Sequence, residues 1–167
     1  MEFLKIVLLC IVGAVAYGLT MDQITARICV EYFSIGHPPI FHTESPTFLA
    51  LGWGVLATWW VGLILGVGLG AAARAGGRPV VQARELSRPI VLLMLSTGLS
   101  AVLAGVVGHA LAKSGTVWLV GPLATRVPKE KHVAFLTDAW AHSVAYLAAF
   151  VGGGWLCIRT WRRRRNA

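Results

Sequence analysis

Residues 48–73 read FLALGWGVLATWWVGLILGVGLGAAA, an apolar run without a single charged residue. The hydrocarbon core of a bilayer is roughly 30 Å thick and takes about 20 helical residues to cross. Working outward, three more runs of this kind cover residues 3–21, 89–112 and 139–158, and none has an acid or base in its central two turns. With 56% hydrophobic and 13% charged residues in 167, the composition is too apolar for an ordinary soluble core. Backbone polar groups in lipid must be paired within each segment. The expected fold is therefore all-α: a polytopic integral membrane protein, one four-transmembrane-helix bundle over residues 1–167, with a structured outer loop after helix 1.

The net charge of +8 raises the question of nucleic acid, and the placement of the charges answers it. Arg74, Arg78, Arg84 and Arg88 fall in a basic inner loop, 74–88, while Arg159 and Arg162 to Arg165 fall in a basic tail, 159–167. With Lys5 they put ten of the fifteen Lys and Arg residues on one side, which the positive-inside bias makes cytoplasmic. The expected location is a bacterial-type inner (plasma) membrane, with both termini cytoplasmic and no nucleic-acid partner. The 22–47 segment, with Asp22, Glu31 and Glu44 against Arg27, is the first outer loop; it opens as more helix, with Ile24 and Ile28 on one side and Gln23, Arg27 and Glu31 on another, until Gly36-His37-Pro38-Pro39 breaks it. The second outer loop, 113–138, carries four cations of its own, Lys113, Arg126, Lys129 and Lys131. The Arg162–Arg165 run reads as a stop anchor against anionic headgroups. Lys5, the apolar run and Ala14-Val15-Ala16 also resemble a cleavable signal over residues 1–16, but the run continues apolar through Tyr17 and Leu19, which favours a retained helix.

Helix punctuation agrees with the spans. Ser45-Pro46 opens the second and Ser87 and Pro89 the third, while Gly76-Gly77 ends the second; the fourth opens either at Thr137-Asp138 or earlier at Pro128, with Lys129 to Lys131 in its first turn. Within the second span Gly54, Thr58, Gly62, Gly66 and Gly70 recur every four residues. Small residues at that interval let helices approach closely in lipid, either within the chain or between copies of it. Trp59 and Trp60 fall near mid-span, where an interfacial aromatic belt does not explain them; one is expected to face lipid and the other to fill space beside the glycines. Cys10, Cys29 and Cys157 include no CxxC pair, which argues against disulfide exchange.

The residues with chemistry gather at one end. All five histidines, His37, His42, His109, His132 and His142, lie at the outer ends of spans or in outer loops. Asp138, His142 and Tyr146 are spaced i, i+4, i+8 on one helix. Asp138 either caps that helix or orients the His142 ring, with Tyr146 and Arg27 supporting the site from behind. His109 shares the face of Gly105 and Gly98 and is expected to look into the bundle, where it and His142 could hold one metal ion or a haem b. His37, His42 and Glu44, with Glu31 nearby, add imidazole and carboxylate ligands suited to a transition metal. His132 is expected in solvent. There is no P-loop, HExxH, G-x-S-x-G or dinucleotide fingerprint. The functional expectation is a membrane protein that binds a metal ion or haem at its outer face. The alternatives are a non-catalytic subunit or scaffold, as a homo-oligomer or in a larger membrane complex, and a small oligomeric channel or transporter.

Overall fold

A computed structural model describes residues 1–165 of the chain, so the last two residues of the expected tail, 166 and 167, lie outside the described residues. The described residues are helical throughout, with no strand. In chain order the helices are α1 (Glu2–Ile28), α2 (Val30–Ser34), α3 (Pro46–Leu56), α4 (Trp59–Arg74), α5 (Ala83–Lys113), α6 (Gly121–Arg126), a 3-10 turn (Lys129–Lys131) and α7 (His132–Arg165). Four stretches are long and apolar enough to cross a membrane: Glu2–Ile28, Pro46–Arg74, Ala83–Lys113 and Lys129–Arg165.

Helix boundaries differ in part from the sequence reading. Helix continues past residue 21, as the spacing after the first span predicts, but it is interrupted at Cys29: α1 runs to Ile28 with Asp22 and Thr25 buried on its packed face, and α2 follows. The supposed outer loop therefore begins at Cys29, and Asp22 and Arg27 belong to α1. The third helix starts at Ala83, where the Gln82 amide donates to the Glu85 carboxylate at 3.1 Å, so Pro89 sits inside the helix rather than at its first position. The fourth takes the earlier of its two expected starts: Pro128 leads into the 3-10 turn at Lys129–Lys131 and α7 follows from His132, so Asp138 lies in the second turn of α7 and does not cap it.

The second span is two helices. At Ala57–Thr58 the ladder breaks: the Thr58 amide turns to the Val55 carbonyl at 3.3 Å, and the Thr58 hydroxyl donates to the Gly54 carbonyl. A hydroxyl that bonds back to its own helix competes with the amide ladder in this way. The Ala57 carbonyl, exposed by the break, accepts from the Tyr146 hydroxyl of α7 at 3.0 Å. A break at such depth is tolerated when protein groups satisfy the freed backbone. Trp59 and Trp60 follow it. Both are well exposed on the bundle surface, at 43% and 38%, so neither is buried beside the glycines.

The helices close into a ring. α1 packs along α3 and α4 on one side and α5 on the other, and α7 joins α5 to α4. Gly54, Gly62 and Gly66 lie against the backbone of α1 at Leu19, Ile11 and Val7, and Gly70 lies against the Phe3 ring. In return Gly18 of α1 meets Gly54 and Thr58. At the other seam Gly108 and Gly105 of α5 face Trp140 and Ala141 of α7. The bundle has two ends. The one at the C-terminus of α1 carries all five histidines, and the opposite one carries most of the arginines.

The arginine end is closed by Arg164, which does not reach outward as an anchor. It is 2% exposed, and its guanidinium donates to the carbonyls of Ala72, Ala75, Arg78 and Pro79 at 2.6–3.2 Å. Those are the carbonyls that α4 leaves unpaired at its C-terminus and in the turn beyond it. Arg163 pairs with Glu85 at 3.0 Å, and Glu2 accepts the Ala83 amide at 3.3 Å, so all four spans are tied together here.

Candidate functional site

The centre of the ring holds a cavity of about 120 Å³, well above the roughly 15 Å³ that admits one water. Its two halves differ in chemistry. Toward the arginine end the wall is apolar: Cys10, Leu65, Leu69, Ile90, Leu93 and Leu156. Toward the histidine end it carries Tyr17, Asp22, Thr25, His37, His142 and Tyr146, roofed by Tyr32, Phe33 and Trp53. From Asp22 to Cys10 along α1 is about 18 Å at 1.5 Å per residue. The cavity is long, polar at one end and greasy at the other.

Small residues of α1 and α7 make this space. Ala14 and Gly18 on α1, and Ala141, Ala145, Ala149 and Gly153 on α7, line it with little side chain of their own. The polar head is built where those two helices come closest to α2. His142 Nε2 lies 3.1 Å from Thr25 Oγ1 and 3.9 Å from Asp22 Oδ1. Thr25 donates its hydroxyl proton to the Met21 carbonyl at 3.1 Å, so its oxygen accepts from a protonated Nε2. That leaves Nδ1 of His142 with the lone pair. The ring is stacked on Tyr32, 4.9 Å between centroids and 20° between planes. Asp22 is 4% exposed and lines the cavity, and no hydrogen bond to its carboxyl is present among the described residues. The Tyr17 hydroxyl and the Trp53 indole nitrogen are likewise buried without a partner.

His37 enters the roof from the loop after α2. Its Nδ1 donates to the Tyr32 carbonyl at 2.8 Å, and its ring lies 4.5 Å from that of Trp53. Burial pulls this imidazole below the ordinary histidine range, against the opposing effect of the Tyr32 bond, so it is neutral at pH 7. Burial also pushes the neighbouring Cys29 thiol up to about 12, which makes it a poor nucleophile.

The other expected site residues go elsewhere. His109 is exposed at the α5–α7 seam, where Nδ1 lies 3.2 Å from Thr137 Oγ1, and it takes no part in lining the cavity. It therefore does not face His142 across the bundle interior. Asp138 is fully buried, but neither oxygen is bonded to His142 or to any other described group. The two residues are one turn apart, and their side chains take different neighbours: Asp138 lies by Cys29 at the α1–α2 junction and His142 turns to Thr25. The carboxylate nearest His142 is Asp22, from another helix. His42 and Glu44 are exposed along a surface groove with Pro38, Pro39 and Phe41. Glu31 pairs with Lys131 at 3.4 Å, and Arg27 binds Gln23 and Thr47. His132 is half-buried and bonded to the Val127 carbonyl, not free in solvent. His37 does share the cavity with His142, but the Tyr32 ring packs against both imidazoles, at 5.0 and 4.9 Å. Among the described residues no three His, Cys, Asp or Glu side chains converge as a metal site would require.

Asp22, Thr25 and Tyr17 were not among the expected site residues. The signal for them was present, since Cys10, Ala14, Tyr17, Gly18, Met21 and Thr25 keep the helical spacing past residue 21. No protein family matches this sequence, and neither a curated protein nor a solved structure matches it.

Proposed function

We propose that this chain is a membrane protein that binds a small single-tailed amphipathic molecule in the cavity, its polar head at Asp22, Thr25 and His142. One observation carries the reading: Asp22 is a buried carboxyl facing a cavity and without a hydrogen-bond partner among the described residues. A polar group kept unpaired in an apolar interior costs free energy, and ionisable groups at membrane depth are retained mainly for function. A ligand head that bonds Asp22 would relieve that cost, and the apolar half of the cavity would take its tail.

The arginine count favours cytoplasmic termini in a bacterial-type inner membrane, with the polar head of the site in the outer leaflet. A reporter active only in the cytoplasm is expected to work when fused after residue 167 and to fail when inserted at Thr43; the opposite pattern would invert the site.

Trp53 provides the binding test, because it lines the cavity and is only 6% exposed. A single-tailed probe brominated on the carbons next to its head group should quench a saturable part of the tryptophan fluorescence. That part should be missing from Trp53→Phe and from Ala145→Phe, which fills the cavity. Quenching that rises without saturation and is the same in all three chains would refute cavity binding.

A further inference from the structure

We propose, building on that cavity reading, that the head group taken by this site is a cation, an alkylammonium rather than an acid or an alcohol. The charge inventory of the wall points this way. Among the described residues Asp22 is the only acid that lines the cavity, and no Lys or Arg lines it. An anionic head would meet a carboxyl and find no cation to receive it. The aromatic inventory agrees, since Tyr17, Tyr32, Phe33, Trp53 and Tyr146 line the same half as Asp22. Ring faces attract ammonium ions, and most strongly where water is excluded.

His142 does not already supply the counter-charge. Its Nε2 is in hydrogen-bond contact with Thr25, at 3.1 Å, and stands beyond that range from Asp22, at 3.9 Å. The other nearby polar groups are engaged or neutral. Tyr146 donates to Ala57, Thr58 donates to Gly54, and the His37 imidazole is neutral. An alcohol would give Asp22 one hydrogen bond and no counter-charge, and only a counter-charge makes an ionised carboxylate tolerable in a low-dielectric space. An ammonium compensates the charge and uses the ring faces as well.

The test holds the tail constant and varies the head. The full chain in phosphatidylcholine nanodiscs is titrated by calorimetry with octylammonium, 1-octanol and octanoate, and the heats of empty nanodiscs are subtracted. Octylammonium, whose N–H groups can donate to Asp22, should bind saturably, and octanol should bind about 10-fold more weakly or worse, the fold-change of a desolvated cation–ring and charge contact. Octanoate should not bind. Asp22→Asn should weaken the ammonium by about the same factor and leave octanol unchanged. If that variant does not fold, the order of the three heads on the native chain decides alone. Octanol or octanoate binding as tightly as the ammonium would overturn the cation. Should that binding still be lost in Ala145→Phe, the cavity reading would survive. No saturable binding by any of the three probes would overturn both.

Discussion

Replacing Gly18 or Gly62 with leucine is expected to abolish the folded chain. A Cβ at Gly18 would fall onto the Gly54 carbonyl oxygen and 2.5 Å from Thr58 Cγ2. At Gly62 it would sit 2.6 Å from Ile11 Cα and 2.7 Å from the Cys10 carbonyl oxygen. The obstacles at Gly62 are backbone, which cannot swing aside as a flexible side chain can. Overpacking an interior ordinarily costs about 1–3 kcal/mol. Here a whole helix must move, so the loss should exceed that range, and even Gly62→Ala should be clearly destabilising. Gly154, inside α7, is the control, since a Cβ there would meet nothing within 4 Å. Gly154→Ala should be neutral or stabilising by up to about 1 kcal/mol through helix propensity. Thermal unfolding in detergent separates the cases, and equal tolerance at Gly62 and Gly154 would contradict the α1–α4 contact.

Arg164→Leu is the second large effect. The substitution strips four carbonyls of a charged donor at the end of α4. Losing a buried partner costs about 1–3 kcal/mol per group left unsatisfied. Water reaches some of these carbonyls once the side chain is gone, so a total of about 3 kcal/mol is expected. Arg164→Lys should recover only part of it, because a lysine ammonium cannot present donors in the planar fork that meets four oxygens. Arg165 is exposed, and Arg165→Leu should change stability by less than about 0.5 kcal/mol. Urea or thermal unfolding of the three variants is the measurement. Similar losses for Arg164→Leu and Arg165→Leu would mean that the arginine run acts only as a charge.

These two cases show what the sequence discloses and what it withholds. The four apolar stretches are legible because bilayer thickness sets a length and the composition meets it. The helix ends are less so: the spacing of Ile24 and Ile28 carries helix past Asp22, but the charge of Asp22 gave no sign that it is buried on the packed face of α1. The break at Ala57–Thr58 leaves no mark in hydropathy, since it arises from one hydroxyl and is answered by Tyr146, far away in sequence. The site follows the same rule. His142 stands out as an imidazole in an apolar helix, but its partners on α1 are tertiary facts. Spacing along one helix suggested Asp138, but the His142 ring turns across to α1, where Thr25 and Asp22 are its neighbours. Arg164 shows the converse, a residue hidden in a run of like charges whose role depends on where α4 ends.

The central claim is that α1 and α7 together build the head of the site, with His142 turned to Thr25 and Asp22. Nitrogen-15 NMR of histidine-labelled protein, with the His142 signals assigned through His142→Gln, reads this directly. The Nε2-protonated form is expected, and its shifts should move in Thr25→Val and Asp22→Asn while staying in place in Asp138→Asn and His109→Gln. Signals that respond to Asp138→Asn or His109→Gln, and ignore Thr25→Val, would contradict the account.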